Sequence, residues 1–296
     1  MNFSALPDLR AATNPHAPAL TDDDTDLDNT AFLAAVQRAA ATLRAHGVIA
    51  GDVVGVMLPN TAAHVVSLFA AWRLGAAVNP IDPALPVEEA GYHMACAGAK
   101  VLIAAHAPGC GFPVHAVVSA DRLTAAEPDT AAPARADDDT PALLTHTCGA
   151  AGNPNGMTLD HLKLNALCRL AIEIFALTDT DHSLSILPLF NVRGIAMGTL
   201  SPLLAGGRAT IAGPFNPTTF FDRIECSCAT YFSAVPTMYT QLSALPADTQ
   251  PNTSSVRFAV CGAARASLEV RTTFERRYRI PIIHDHGLAE VPAHCL

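Results

Sequence analysis

The chain is poor in charge and almost without lysine. Asp, Glu, Lys and Arg make up 15% of its 296 residues, and Lys100 and Lys163 are its two lysines. With 18 basic against 27 acidic side chains the formal net charge is −9, and no basic run exists. That excludes a surface built to hold nucleic acid or an anionic membrane. The N-terminal text MNFSALPDLRAATNPH has no positively charged start followed by an apolar stretch, so it does not read as a secretory signal. The long uncharged run Val53 to Trp72 is interrupted by Pro59, Asn60, Thr61 and His64. It reads as a strand followed by a helix and not as a membrane span. There is no CxxC pair among the eight cysteines. Eight in a chain of this length do not form a disulfide framework, so reduced, largely buried thiols in a cytoplasmic protein are expected. Cys226 and Cys228, the nearest pair, are expected on one face of a strand.

What the sequence has in quantity is apolar text, 50% of all residues, which is enough for a sizeable core and excludes disorder. Segments of helical period alternate with short β-branched runs. Asn29 or Thr30 is expected to cap a helix carrying Phe32, Val36, Ala39 and Leu43, stopped by Gly47. A strand over Val53–Leu58, a helix from Thr61 to Leu74 and a third helix from Pro86 to Gly98 follow. Strands are expected at 100–104, 114–118, 142–145, 183–187, 209–211, 229–233, 256–260 and 280–283, with a helix over Asp160–Phe175. This alternation predicts an α/β fold of parallel sheets flanked by helices. Ser119–Thr140, rich in Ala, Pro and Asp, reads as a linker between a first α/β half (1–118) and a second (141–296). The acidic run Asp22–Asp28 reads as a solvated turn.

The text most suggestive of chemistry is Thr147-Cys148-Gly149-Ala150-Ala151-Gly152-Asn153-Pro154-Asn155-Gly156, between a strand and a helix. Glycines at this spacing let the backbone turn tightly and aim N–H groups at an anion. It is not a Walker loop, since no Gly-Lys-Ser/Thr follows. Taken alone, a plain Gly-rich turn is an equally open reading. Other elements occur in a fixed order: AGDVVGVMLPNTAAHVVSLFAAWRLGAAVNPIDPALP, His161, LPLFNVRG (187–194), FSAVPTMYTQL (232–242), VRFAVCGAA (256–264) and HDHGLAE (284–290). Together with the loop they resemble the adenylate-forming, AMP-binding superfamily, in particular the acyl-CoA synthetases.

The resemblance implies the N-terminal domain of such an enzyme, without its C-terminal cap domain. The implied ligands are ATP or AMP and Mg²⁺, and the implied substrates are a carboxylic acid and coenzyme A. Nucleotide contacts would fall on Thr147, Cys148, Gly149, Gly152, Asn155, Gly156, Gly262, Ala263, Ala264, His286, Gly287 and Ala289. The acid would meet Asn191 and Gly262, and Glu290 would ligate the metal. No residue is assigned a catalytic role. The loop departs from the family pattern, where a Ser, two Thr and a Lys stand at Cys148, Ala150, Ala151 and Asn155. Ala289 replaces a Thr, His286 an adenine-stacking Tyr, and Asn191 a His. Charge-assisted contacts of about 1.5–3 kcal/mol each are thereby missing. The chain also ends six residues after Glu290, before the family's later elements. A weak or inactive ligase is expected, with a homo-oligomer or a partner polypeptide supplying the C-terminal part as the implied assembly; the alternative is a catalytically inactive remnant acting as a weak nucleotide- or acyl-binding module or as an interaction module. His284-Asp285-His286 with His294 and Cys295 is a weaker metal reading, and Cys148 a weaker nucleophile reading.

Overall fold

The computed structural model describes residues 3–106, 111–135, 137, 139–147, 155–262 and 266–284. They fall into two compact units. One lies within Met1–Ala19, Asp26–Ala166 and Leu189–Val192, the other within Leu20–Thr25, Leu167–Pro188 and Arg193–Leu296.

The first unit opens with helix α1 (Leu6–Thr13), which has proline in its first turn, where the missing N–H costs nothing. Strands β1 (Pro18–Thr21) and β2 (Asp26–Asp28) precede helix α2 (Asn29–Ala45). The cap of α2 is Asp28, whose carboxylate accepts from the Ala31 N–H at 2.7 Å. Asn29, expected to cap, is buried instead. It accepts from Arg10 Nε at 2.7 Å and donates to the Asn14 carbonyl at 2.7 Å. The acidic run is thus part strand and part cap, and only its Asp22–Asp24 stretch turns back on a carboxylate.

Next come β3 (Val53–Met57), α3 (Ala62–Arg73), β4 (Ala77–Pro80), α4 (Val87–Ala97), β5 (Ala99–Ala104), β6 (Ala116–Ser119), β7 (Pro141–Thr147), β8 (Asn155–Asp160) and the first turns of α5 (His161–Phe175), which from Leu167 onward belongs to the second unit. The sheet order is β6-β5-β3-β4-β7-β8. Its pairs are parallel except β7 with β8, an antiparallel hairpin that the expectation of parallel sheets did not include. Helix α3 buries Val65, Leu68, Phe69 and Trp72 completely. Phe69 meets Phe32 of α2 edge-on at 5.3 Å, and Trp72 meets Phe69 in the same way.

The second unit contains β9 (His182–Ser185), α6 (Val192–Ile195), a π turn (Ala196–Leu200), α7 (Ser201–Leu204), β10 (Arg208–Ile211), α8 (Pro217–Ser227), β11 (Tyr231–Ala234), α9 (Pro236–Ser243), β12 (Phe258–Cys261), α10 (Leu268–Tyr278) and β13 (Ile282–His284). The order β13-β12-β11-β9-β10 is all parallel, and β10 also pairs in parallel with Leu20 and Thr21 of β1. Side chains alternate across it. Phe232 and Ala259 face Phe220, Tyr239 and Phe274. Tyr231 and Phe258 face Ala171 and Phe175 of α5. Both faces are covered, so the strands read as continuous apolar runs.

Two thiol expectations are corrected. Cys226 lies in α8, and Cys228 is the left-handed residue that ends it (φ 52°), so the two share no strand face. Asn216 and Pro217 are the overlooked start signal: the Asn216 side chain accepts from the Thr218 N–H. Of the described cysteines, Cys168 and Cys261 are buried, but Cys96, Cys226 and Cys228 are exposed. Among the described residues no helix is long and apolar enough to cross a membrane.

Three core histidines set an acid limit. Burial holds His64, His161 and His182 down to about 4, from the ordinary 6.5. The unfolded chain takes up protons at these positions first, so their contribution is complete above pH 6.5. It is lost progressively between pH 6.5 and 4, at about 1.4 kcal/mol per group per pH unit. Urea midpoints measured from pH 7.5 to 4.5 are expected to fall across this window. A flat profile would contradict the buried, neutral assignment.

Candidate functional site

In the first unit, the stems of the expected phosphate loop pair with each other. Thr147 lies opposite Asn155, and His146 opposite Gly156, at the open end of the β7–β8 hairpin. Cys148, Gly149, Ala150, Ala151 and Gly152 lie outside the described residues. Below the stems is a cavity of about 290 Å³ lined by Cys96, Ala97, Leu144, Thr145, Gly156, Met157 and Thr158. Helix α5 begins where β8 ends. The Asp160 carboxylate accepts from the Lys163 N–H at 2.7 Å and pairs with its ammonium. His161 packs against Trp72 and Phe3, with ring centroids at 5.7 and 6.4 Å, so this motif histidine is a core residue. Asn191 is exposed after β9.

In the second unit, the carboxyl ends of the parallel strands converge, which is where open α/β sheets bind ligands. Gly262 directly follows β12, and its N–H donates to the Ala234 carbonyl at the end of β11, at 3.3 Å. A Cβ at Gly262 would meet the Arg193 guanidinium at its carbon and both terminal nitrogens, so a side chain there would push the flexible end of Arg193 aside. Arg193 Nε donates to Ser233 Oγ at 3.3 Å, and Ser233 is buried. Tyr239 donates to the Val260 carbonyl at 2.9 Å, and burial holds its hydroxyl well above the ordinary 10. Burial likewise raises the Cys261 thiol, against an opposing pull from the Ala266 N–H and Arg193.

Neither Arg193 nor Ser233 was singled out from the sequence. The signal was available for the arginine, which is the one charged residue between His182 and Arg208. His284 ends β13 opposite Cys261. Ala263, Ala264, Asp285, His286, Gly287, Ala289, Glu290, His294 and Cys295 lie outside the described residues. Among the described residues no group of three or more His, Cys, Asp or Glu is placed to hold a metal ion.

The turn that delivers Arg193 is closely fitted. A Cβ on Gly194 would collide with the carbonyls of Pro188 and Leu187, which are backbone and cannot swing aside. Gly194→Ala is therefore expected to cost about 1–3 kcal/mol by overpacking. A thermal midpoint within 1 °C of the parent would contradict this close approach.

The profile of a known family, described as AMP-binding enzyme, matches residues 8–296. A feruloyl-CoA synthase from Amycolatopsis sp is 31% identical over 299 residues, covering 97% of this chain and 59% of the relative. An oxalate–CoA ligase from Arabidopsis thaliana is 28% identical over 278 residues, covering 86% of this chain and 54% of the relative. The chain thus spans a little over half the length of these relatives. The inhibitor-bound crystal structure of the N-terminal domain of FACL13 from Mycobacterium tuberculosis superposes with a TM-score of 0.88 at 21% identity. The match covers 98% of this chain and 76% of that one. Sequence and fold agree along nearly all of the chain, and it belongs to the family of AMP-binding enzymes.

Proposed function

We propose that the chain binds ATP and a carboxylic acid and carries the adenylation step of an acyl-CoA ligase. The family match over residues 8–296 supports this, together with the Gly262–Arg193–Ser233 cluster at the carboxyl ends of β11 and β12. In the reaction, a carboxylate oxygen attacks the α-phosphorus of ATP and the bond to pyrophosphate breaks. The thiol of coenzyme A then attacks the acyl carbon and AMP leaves. Aromatic acids such as ferulate and small diacids such as oxalate are the candidate substrates, drawn from the relatives. The proposed compartment is the cytoplasm, and a second copy or a partner polypeptide is proposed to complete the site for turnover.

The proposed nucleotide contacts are those of the loop at Thr147, Cys148, Gly149, Gly152, Asn155 and Gly156, the Gly262–Ala264 turn, and His286, Gly287 and Ala289. Asn191 and Gly262 would border the acid. Mg²⁺ held by Glu290 would neutralise phosphate charge when bound. The chain's own contribution is to position and to donate hydrogen bonds, which is how phosphoryl and nucleotidyl transfer is mainly catalysed. The loop sequence leaves main-chain N–H groups as its donors for that role. Cys148, Ala150, Ala151 and Asn155 supply no ammonium and no hydroxyl, and that favours a second reading: a nucleotide- or acyl-binding module with little turnover.

Pyrophosphate release with a panel of acids separates the two. Acid-dependent release supports the ligase reading. Saturable Mg²⁺-ATP binding without release supports the module. Absence of both refutes the nucleotide reading. The triple change Ala150→Thr, Ala151→Thr and Asn155→Lys is expected to raise ATP affinity at least tenfold, since one added charge-assisted bond is worth about 1.5–3 kcal/mol. Unchanged affinity would mean that the loop does not face phosphate.

A further inference from the structure

We infer that Tyr231 is a positioning residue for Arg193: its hydroxyl holds the π turn that sets the rotation at which Arg193 reaches Ser233 and Gly262. The inference rests on the reading above only in counting that cluster as part of the acid site.

The cause begins in the sequence. Gly198 and Pro202 stand four residues apart in one helical run, buried from Gly194 to Leu203. In a regular α-helix the ring of Pro202 would clash with the Gly198 carbonyl. The chain widens instead. The Ser201 N–H donates to the Ala196 carbonyl, five residues back, which makes Ala196–Leu200 a π turn. This solution strands the Met197 carbonyl. Its α-helical donor, the Ser201 N–H, is committed to Ala196. Its π-helical donor would be the nitrogen of Pro202, which carries no hydrogen. Tyr231 of β11 supplies the missing donor, its hydroxyl lying 3.0 Å from the Met197 carbonyl. Tyr231 is fully buried, and burial raises the pKa of its hydroxyl, so the donor stays protonated. In the α register Met197 would regain the Ser201 N–H, so the tyrosine hydroxyl favours the π register over the α one. Gly198 fits the same arrangement, because Ser185 Oγ of β9 lies where a Cβ would stand.

The register decides where the preceding residues point. One residue gained or lost in a helix rotates everything before it by about 100°. Arg193 precedes Met197 by four residues. On β11, Ser233 follows Tyr231 by two and so shares its face. The strand therefore grips the run twice: Tyr231 on the Met197 carbonyl, and Ser233 Oγ on Arg193 Nε at 3.3 Å. A change of register would rotate Arg193 off Ser233 and away from the space that Gly262 leaves.

The test compares Tyr231→Phe with Tyr278→Phe in the full chain. Tyr278 makes the same kind of buried bond, to the Leu242 carbonyl at 2.7 Å, on the other side of the sheet. Crystal structures are the first readout. Tyr231→Phe is expected to lose the π turn and the Arg193–Ser233 contact, and Tyr278→Phe to keep both. If Tyr231→Phe keeps turn and contact, the inference is overturned and the acid-site reading is untouched. The second readout is calorimetric binding of a non-hydrolysable acyl-adenylate analogue. Tyr231→Phe should weaken it about tenfold, the worth of one net hydrogen bond, and Tyr278→Phe should leave it unchanged. On an Arg193→Gln background Tyr231→Phe should cost nothing more, because it acts through the arginine. An equal loss on both backgrounds overturns the inference. If the parent binds no analogue, the acid-site reading fails, and the crystal structures alone decide whether Tyr231 positions Arg193. One measurement needs no variant. The Tyr231 hydroxyl proton of the parent should exchange slowly enough to give a deuterium isotope shift at its ¹³Cζ, and fast exchange would overturn the inference.

Discussion

Trp72→Ala is expected to destabilise the chain by about 3–5 kcal/mol, the range for deleting a large buried aromatic. Trp72 is fully buried, lies edge-on to Phe69 and His161, and is 5.7 Å from Phe3 between ring centroids. Its indole N–H donates to the Ala142 carbonyl at 2.9 Å, tying α3 to β7. Alanine would leave both a cavity and a buried carbonyl without that donor. The two effects separate in a series. Trp72→Phe keeps most of the volume and loses the bond, so it should cost about 1–3 kcal/mol. Small proteins are stable by only about 5–15 kcal/mol, so the alanine change removes a large share. It should appear as a lower urea midpoint by circular dichroism. Trp72 is the chain's one tryptophan, so parent emission should be that of a buried indole and shift to the red on unfolding. A midpoint for Trp72→Ala equal to that of Trp72→Phe would refute the cavity argument.

The same residues show what a sequence can disclose. The text from Val53 to Gly75 reads correctly as strand, turn and helix because its apolar residues have no alternative to burial and the breakers sit at the ends. The second unit's strands could be placed to within a few residues for the same reason. Short elements with weak pattern were missed: β1, β2, β4 and β8. The hairpin partner β8 was hidden by its glycine-rich approach, since pairing with β7 depends on a register that no local signal carries. Asp28 took the cap from Asn29 because Arg10 and the Asn14 carbonyl, both distant in sequence, claim the asparagine. The site divides likewise. The sequence marks a loop at Thr147–Gly156 through its glycines and its resemblance, and the structure describes its paired stems, Thr147 with Asn155 and His146 with Gly156. The pairing of Arg193 with Gly262 was not, because the meaning of each residue depends on a close approach between chain segments far apart in sequence.

Asp181→Ala is expected to cost about 3 kcal/mol, the low end for breaking a buried ion pair because Arg257 is partly solvated. The Asp181 carboxylate is 1% exposed, and Arg257 Nη1 lies 2.5 Å from it. It also accepts from the Thr230 hydroxyl at 2.7 Å and the Thr178 N–H at 2.8 Å. It thereby joins the turn before β9 to the starts of β11 and β12. Burial pushes its pKa up, but the bonds from Thr230, Thr178 and Arg257 outweigh this, and the net shift is below the ordinary 3.8. A carboxylate depressed on folding stabilises above its unfolded pKa and loses that contribution as pH falls through the folded value. The Asp181 loss therefore lies below about pH 4, beneath the histidine window of 6.5 to 4. In the alanine variant the decline between pH 6.5 and 4 should persist, while the further decline below 4 should be shallower than in the parent. Asp181→Asn should fall between the two in stability, since an amide keeps the volume and one acceptor but not the charge. A cycle with Arg257→Ala gives the pair's coupling, expected at about 0.5–3 kcal/mol for groups in direct contact. Zero coupling would mean that Asp181 acts through Thr178 and Thr230 alone, with the arginine contributing nothing to the fold.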